Sequence, residues 1–241
     1  MPVLTSPRPV FAVVLAGGRS RRMPGQDKVR IDLDGRTALA RVLAAVPDLV
    51  PAERRIVVGP EVLREDLPAG TGEVRLVREE PAFGGPVAAL ERGVREIPAP
   101  QGAASPVPSS AAGAASGWST GGGAADADVL VLGGDMPLLQ RADTSRLLVA
   151  DPTGRRVRVM IACTGRREHL CAVWPLGLLR DALDAVAGTG PSWEGLALRD
   201  LYARLGPRDL LEVPAVADET ADIDTPEDLA SVRDRLRARE S

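Results

Sequence analysis

The sequence predicts an α/β fold built on a mostly parallel sheet, and three observations predict it. Apolar runs of strand length recur at Val10 to Ala16, Arg55 to Gly59, Val74 to Arg78 and Asp128 to Leu132. Such runs suit strands buried on both faces. Most are separated by segments with apolar residues at helical spacing, the alternation expected of strand–helix–strand crossovers. Finally, 241 residues can bury one substantial core, and with 44% hydrophobic but 2% aromatic side chains that core must be Val, Leu, Ile and Ala. The expectation is one domain over 1–241.

Taken in order, the first strand runs from Val10 into Gly17-Gly18. Val29 to Leu33 alternates and reads as a short strand or extended segment. Asp34-Gly35 is a turn. Thr37 caps a helix with the stripe Leu39, Val42, Leu43 and Val46, which Pro47 and Pro51 end. Arg55 to Gly59 is the second strand, and Val74 to Arg78 is the third, delivering Glu79-Glu80-Pro81 to a loop. Gly84-Gly85-Pro86 starts a helix that uses Val87, Leu90, Val94 and Ile97, with proline in its first turn.

From about 98 to 127 the chain is dominated by Ala, Ser, Gly and Pro, and periodicity is lost. This composition cannot bury enough surface to offset ordering, so a disordered insertion is expected there, with Trp118 alone inside it. Asp128 to Leu132 resumes the sheet and ends in Gly133-Gly134-Asp135-Met136-Pro137. Asp143 to Ala150 reads as helix and Val157 to Ala162 as strand. Thr164 to Arg167 turns the chain into Leu170 to Trp174, giving a hairpin beside the parallel part. Helices follow at Leu176 to Val186 and Glu194 to Leu205, then an edge strand at Leu210 to Val213. Thr225-Pro226-Glu227-Asp228 is a helix start with a Thr cap, a first-position proline and early carboxylates, and that helix runs towards Arg239.

The net charge of −3 gives no basic field, which argues against nucleic-acid binding. Two cysteines, Cys163 and Cys171, do not make a secreted disulfide scaffold. Prolines and Arg8 interrupt any signal-peptide pattern, and no apolar stretch is long enough to span a bilayer. A cytoplasmic protein with no membrane partner is the expectation.

The chemistry centres on the loop after the first strand. Gly17 and Gly18 carry no side chain, so their N–H groups can approach an anion. Arg19, Arg21, Arg22 and Lys28 add positive charge there, and Lys28 is the single lysine of the chain. The loop fits neither a P-loop, since Asp27 precedes Lys28 and Val29 follows it, nor a Gly-x-Gly-x-x-Gly fingerprint. In parallel sheets ligands sit at the carboxyl ends of strands. Gly17, Glu79 and Asp135 each follow a strand directly, so they should share one edge. Asp135 is the leading ligand for a hard cation such as Mg2+, and a turn aspartate bonding its own backbone is the competing reading. Asp222 and Asp224 fit a site or a solvated helix start equally. His169 lies between the cysteines, but structural zinc wants four ligands and no further His or Cys exists. Arg167 and His169 fit either a place near an anion or a surface hairpin without a role. No Ser-His-Asp or Cys-His pairing is supported, which suits chemistry that needs positioning and charge neutralisation.

Leu15-Ala16-Gly17-Gly18-Arg19-Ser20-Arg21-Arg22-Met23, with Gly25, Asp27 and Lys28, resembles the signature loop of the MobA-like nucleotidyltransferases. Pro24 departs from it, standing where glycine is usual and removing one N–H. Gly133 to Pro137 resembles the family's metal-binding motif, and Asp222 to Leu229 its C-terminal motif. Arg166 to His169 resembles the turn before its late strand, with Leu170 in place of a frequent proline.

The resemblance implies a three-layer α/β/α nucleotidyltransferase that moves GMP from GTP to the phosphate of a molybdopterin-type acceptor, releasing pyrophosphate. It implies nucleotide contacts at Leu15, Ala16, Gly17, Gly18, Lys28, Glu79, Gly85, Gly134 and Asp135, and catalytic roles for Arg22, Lys28 and Asp135. It implies magnesium on Asp135 and Asp224, acceptor contacts at Arg167, His169, Asp222 and Asp224, and a transient contact with molybdenum-enzyme maturation proteins. A cytidylyltransferase acting on another small phosphate, and a non-catalytic nucleotide-binding regulator, are the competing functions. For guanine, Glu79 can accept from N1 and N2, and Glu80 beside it could serve equally.

Overall fold

The computed structural model describes residues 8–18, 23, 27–67, 73–80, 84–98, 127–187, 193 and 195–240. Seven strands among them form one sheet: β1 (Val10–Leu15), β2 (Arg55–Val58), β3 (Arg75–Val77), β4 (Asp128–Gly133), β5 (Val157–Ile161), β6 (Arg167–Pro175) and β7 (Leu210–Pro214). Their order is β3-β2-β1-β4-β6-β5-β7. Only β6 runs against the rest, antiparallel to both β4 and β5. The hairpin of β5 and β6 sits beside the parallel part as expected, with β6 against β4. Its second strand enters the sheet, and β5 and β7 resume the common direction beyond it.

Side-chain alternation splits the core into two faces. Val14, Leu130, Leu132 and Val173 point to one face, where α1 (Ala38–Ala45) and α3 (Arg141–Val149) cover them. Val13, Val129, Val131, Ala172 and Trp174 point to the other, under α2 (Pro86–Arg95), α4 (Leu176–Ala187) and α5 (Leu198–Tyr202). Period-two strands with both faces apolar require this sandwich of helices. A third cluster joins Met23, Leu33, Ala38, Leu138 and Ile223 to Val232 and Leu236 of α6 (Pro226–Glu240). It ties Met23 and Leu33 to the last helix.

The helix starts follow their caps. Thr37 Oγ1 accepts from Ala40 N at 3.2 Å. Gly85, with φ 103°, precedes Pro86 at the start of α2, a backbone geometry that favours glycine. Thr225 Oγ1 accepts from Asp228 N at 3.2 Å, while Asp228 Oδ2 accepts from Thr225 N at 2.8 Å, a reciprocal cap.

Two expected elements differ. Of the segment expected as a short strand or extended stretch over Val29 to Leu33, the first part is a 3-10 turn, Lys28–Arg30, and the rest holds only an isolated bridge from Asp32 to Thr37. Val29 is buried against Ala16 and Gly134. The helix expected from Glu194 begins at Leu198, because Asp200 accepts from Ala197 N at 2.8 Å and fixes the first turn there. The segment expected to be disordered, with Trp118, and the basic positions 19–22 lie outside the described residues. Among the described residues no helix is long and apolar enough to cross a membrane.

Candidate active site

Three loops meet at the carboxyl end of the parallel strands. Backbone bonds carry the sheet ladder past the strand ends: Ala16 N donates to Val58 O at 2.8 Å, Gly59 N to Val77 O at 2.8 Å, and Gly134 N to Leu15 O at 2.9 Å. The loops are thereby fixed side by side. Gly134 carries no side chain, and a Cβ there would crowd Ala16 Cβ and Val29 Cγ1, each at 3.1 Å. That absence lets the Lys28 turn rest on the end of β4. Gly17 and Gly18 are exposed at this edge. A Cβ on Gly17 would stand 4.0 Å from Glu79 Oε1, so the Glu79 carboxylate flanks the glycine pair. Glu80 is the more exposed of the two acids.

Asp135 follows Gly134 at the same edge. Burial pushes its carboxyl up to about 6, Asp222 and Asp224 push the same way, and its own backbone N–H and Lys28 oppose them. The C-terminal segment is clipped to it: Ile223 N donates to Asp135 O at 3.1 Å. Lys28 Nζ forms an ion pair with Asp224 Oδ1, with the lysine side chain only 14% exposed.

Beside this edge lies a cleft of about 420 Å³, lined among others by Asp135, Asp222, Arg166, Glu168, His169 and Arg199. Pro86 and Arg167 also line it, and Gly195 N donates to Gly84 O at 3.0 Å, so the loop before α5 leans on the start of α2. Gly85 stands at this junction, where a Cβ would lie 3.5 Å from Leu196 O. His169 packs tilted against Tyr202 with ring centroids 4.4 Å apart. Burial, then Arg167 and Arg166, hold its pKa below the usual histidine value. Arg167 reaches across to Glu212 at 2.6 Å.

The structure thus gathers Leu15, Ala16, Gly17, Gly18, Lys28, Glu79, Gly134, Asp135 and Asp224 at one edge. It gathers Arg167, His169 and Asp222 at the adjoining cleft. Arg22 lies outside the described residues. Sequence reasoning missed Glu168 and Arg199. Glu168 is 8% exposed and pairs with Arg166 at 3.1 Å. Burial raises its pKa and Asp222 adds to the rise, against Arg166. Glu168 faces Met160 past a register shift between β5 and β6, so period-two counting along the sequence did not give its side.

Among the described residues no three His, Cys, Asp or Glu side chains form a cage for a metal ion. A single carboxylate aimed at a phosphate edge still suits magnesium, which keeps waters and takes substrate phosphates as further ligands. Asp135 is buried, with the Asp222 and Asp224 carboxylates near it and Lys28 the one cation acting on it among the described residues, a setting that suits a hard divalent cation.

The family model for the MobA-like NTP transferase domain matches residues 12–207. The chain is 30% identical over 231 residues to a molybdenum cofactor guanylyltransferase of Cereibacter sphaeroides, covering 95% of this chain and 97% of that one. Among solved structures it resembles a nucleotidyl transferase of Methanothermobacter thermautotrophicus with a TM-score of 0.64 and 23% identity, covering 97% of this chain and all of that one (100%). It also resembles molybdopterin-guanine dinucleotide biosynthesis protein A of Archaeoglobus fulgidus, with a TM-score of 0.59 and 16% identity over 95% and 99% of the two chains. A 4-diphosphocytidyl-2C-methyl-D-erythritol synthase of Anaerococcus prevotii shares the fold with a TM-score of 0.62 at 11% identity, over 95% and 99%. The sheet with a phosphate-suited edge and the match over most of its length lead to one conclusion: the chain belongs to the MobA-like NTP transferase family and is a nucleotidyltransferase.

Proposed function

We propose that this nucleotidyltransferase transfers GMP from GTP to the phosphate of a molybdopterin-type acceptor. The observation that carries the reading is the convergence of Gly17-Gly18, Lys28 and Asp135 at one strand-end edge that opens into the cleft. The full-length relative from Cereibacter sphaeroides supports the same acceptor.

In this reading the triphosphate lies along Gly17 and Gly18, whose N–H groups face its oxygens. An acceptor phosphate oxygen attacks the α-phosphorus in line. The bond to the β-phosphate bridge breaks, and pyrophosphate leaves with the bonding electrons. Lys28, with Arg22 from the same loop, neutralises charge gathering on the leaving group. Asp135 would hold magnesium, which supplies charge neutralisation on phosphate oxygens when bound. Gly85 and Pro86 border the edge and the cleft together. Arg167, His169 and Asp222 line the acceptor side, where the His169 ring nitrogens can hydrogen-bond the acceptor.

In the same reading Glu79, whose carboxylate flanks Gly17, reads the base. A carboxylate accepts both N1–H and N2–H of guanine, and cytosine has no such donor pair. Titration of GTP and CTP with magnesium tests this. Glu79→Gln should weaken GTP by about 1–3 kcal/mol, the cost of poorly paired buried donors, and CTP much less. Equal losses for both nucleotides would remove Glu79 from base selection. Tight CTP binding by the unaltered protein, with CMP transfer, would replace guanylyl by cytidylyl transfer. Binding without pyrophosphate release on any acceptor would make it a nucleotide-binding regulator.

A further inference from the structure

Lys28 and Asp224 are 196 residues apart in the chain and meet as an ion pair at the strand-end edge. Each is fixed by its own surroundings. Lys28 opens a 3-10 turn whose next residue, Val29, is buried against Gly134 and Ala16. On the other side, Ile223 is fully buried in the cluster that contains Met23, Leu33 and Leu138, and its N–H is bonded to Asp135 O. Asp224 N donates to Asp228 Oδ2 at 3.1 Å, inside the cap of α6. The backbone that carries Asp224 is therefore fixed, while the lysine reaches its carboxylate on a flexible four-carbon stem.

We propose that Asp224 is a positioning residue for Lys28, holding its ammonium aimed at the edge where the triphosphate lies. This rests on the reading of that edge as the triphosphate site. An ammonium has three N–H donors, so one on Asp224 leaves two for phosphate oxygens. Without Asp224 the ammonium still feels Asp135 and Asp228, both of which it influences electrostatically, and it would be drawn among them. Holding it beforehand removes that freedom before the nucleotide arrives, the usual gain from preorganisation. The assignment differs from a metal ligand or acceptor contact at Asp224, because the carboxylate acts through Lys28.

Lys28 is the only lysine, so reductive methylation with 13C-formaldehyde labels it and the α-amine alone. Dimethylation keeps the charge and one donor. Asp224→Asn should move the Lys28 methyl resonance towards that of a free, rapidly averaging side chain, with no nucleotide present. In kinetics, Asp224→Asn should lower kcat by about tenfold to a hundredfold, the scale of losing position rather than charge. Nucleotide KM and the magnesium concentration for half-maximal rate should stay near wild type, and Asp224→Glu should restore part of kcat. A Lys28 resonance unmoved by Asp224→Asn would overturn the proposal. So would a large rise in the magnesium requirement with an unmoved resonance, which would make Asp224 a metal ligand. The resonance needs no turnover, so failure to use GTP would count against the guanylyl reading alone, and the kinetic arm is then read with whichever triphosphate is turned over.

Discussion

The carboxyl of Asp135 is pushed up to about 6 by burial and by the acids beside it, and this has a consequence for stability. A carboxyl whose folded pKa exceeds its unfolded value near 3.8 binds protons more readily when folded. Stability from this group is then unaffected at low pH, falls as pH rises from the unfolded value to about 6, and stays reduced above it. At neutral pH without metal, Asp135→Asn should therefore be at least as stable as wild type, by up to about 2–3 kcal/mol on one pKa unit being worth about 1.4 kcal/mol. Thermal melts at pH 7.5 and pH 4 check the sign: the advantage of the variant should shrink at the lower pH. Magnesium should raise the Tm of the wild type and not that of the variant. The same substitution should cost about a hundredfold or more in turnover, the scale of removing one preorganised electrostatic group. A more stable and inactive protein would mark a site that gives up stability for charge placement. Lys28→Ala should lose turnover on the same scale, without that gain in stability.

At Gly93, α2 lies tight against the sheet. A Cβ there would come 2.6 Å from Val13 Cγ1 and 3.0 Å from Val58 Cγ2. In an exposed helix alanine would gain up to about 1 kcal/mol over glycine. Here overpacking opposes it by about 1–3 kcal/mol, because both valines are fully buried and have no space to retreat. Gly93→Ala should therefore lower the urea midpoint, and an unchanged or higher midpoint would show that α2 can lift off the sheet freely. This element also shows what a sequence makes legible. The stripe Val87, Leu90, Val94 named the buried face, and Gly85-Pro86 named the start, because both signals are local. The apolar runs named β1 to β4 for the same reason, and the loops that follow them named most of the site. What was hidden depends on contacts between distant segments. Nothing local says that β6 enters between β4 and β5, because a hairpin pattern gives its own pairing and not its outer partner. Nothing local says that Lys28 meets Asp224. The helix start at Leu198 needed the cap from Asp200, a signal present in the sequence but outweighed by the longer apolar pattern from Glu194.

At the scale of the molecule the sheet has two unlike ends. The carboxyl end carries the glycines and the cleft, while the amino end is closed by a buried charge cluster. Arg158 in β5 is fully buried, its Nη1 donates to Leu148 O at 3.2 Å, and its Nη2 lies 3.0 Å from Asp128 Oδ1 without the alignment of a hydrogen bond. Arg8 reaches the same carboxylate at 3.1 Å but is partly exposed and can turn to water. Arg158 has no such escape. Asp128→Ala should therefore cost about 3–5 kcal/mol, the range for stranding a buried charge. Adding Arg158→Met should recover much of it, because a well-packed apolar side chain can replace a buried pair at little cost. Urea unfolding of both variants checks the order, and a double variant no better than the single would mean that the loss lies in packing and not in the stranded charge.

The segment between α2 and β4 sets the last test at this scale. It joins Pro98, just past the end of α2, to Ala127, whose carbonyl accepts from Leu176 N at 2.8 Å beside the buried cluster. Both of its ends are thus held by the core independently of what lies between them: Ile97 and Ala127 are each 3% exposed or less. They belong to the α2-side face of the sheet, and the strand-end edge with Gly17, Lys28 and Asp135 lies at the other end of β4. Replacing 99–126 by about ten Gly and Ser residues changes the closure cost by only about 1 kcal/mol, since that cost varies with the logarithm of length. The removed composition, rich in Ala, Ser, Gly and Pro, offers little apolar surface to lose. The shortened protein should keep its Tm within a few degrees, on the scale of about 4 °C or less per kcal/mol for a chain of this size, and keep its turnover. A large fall in Tm with turnover preserved would mean that the segment packs on the body, with Trp118 the first residue to restore. A fall in turnover with Tm preserved would instead make it part of how the acceptor is held.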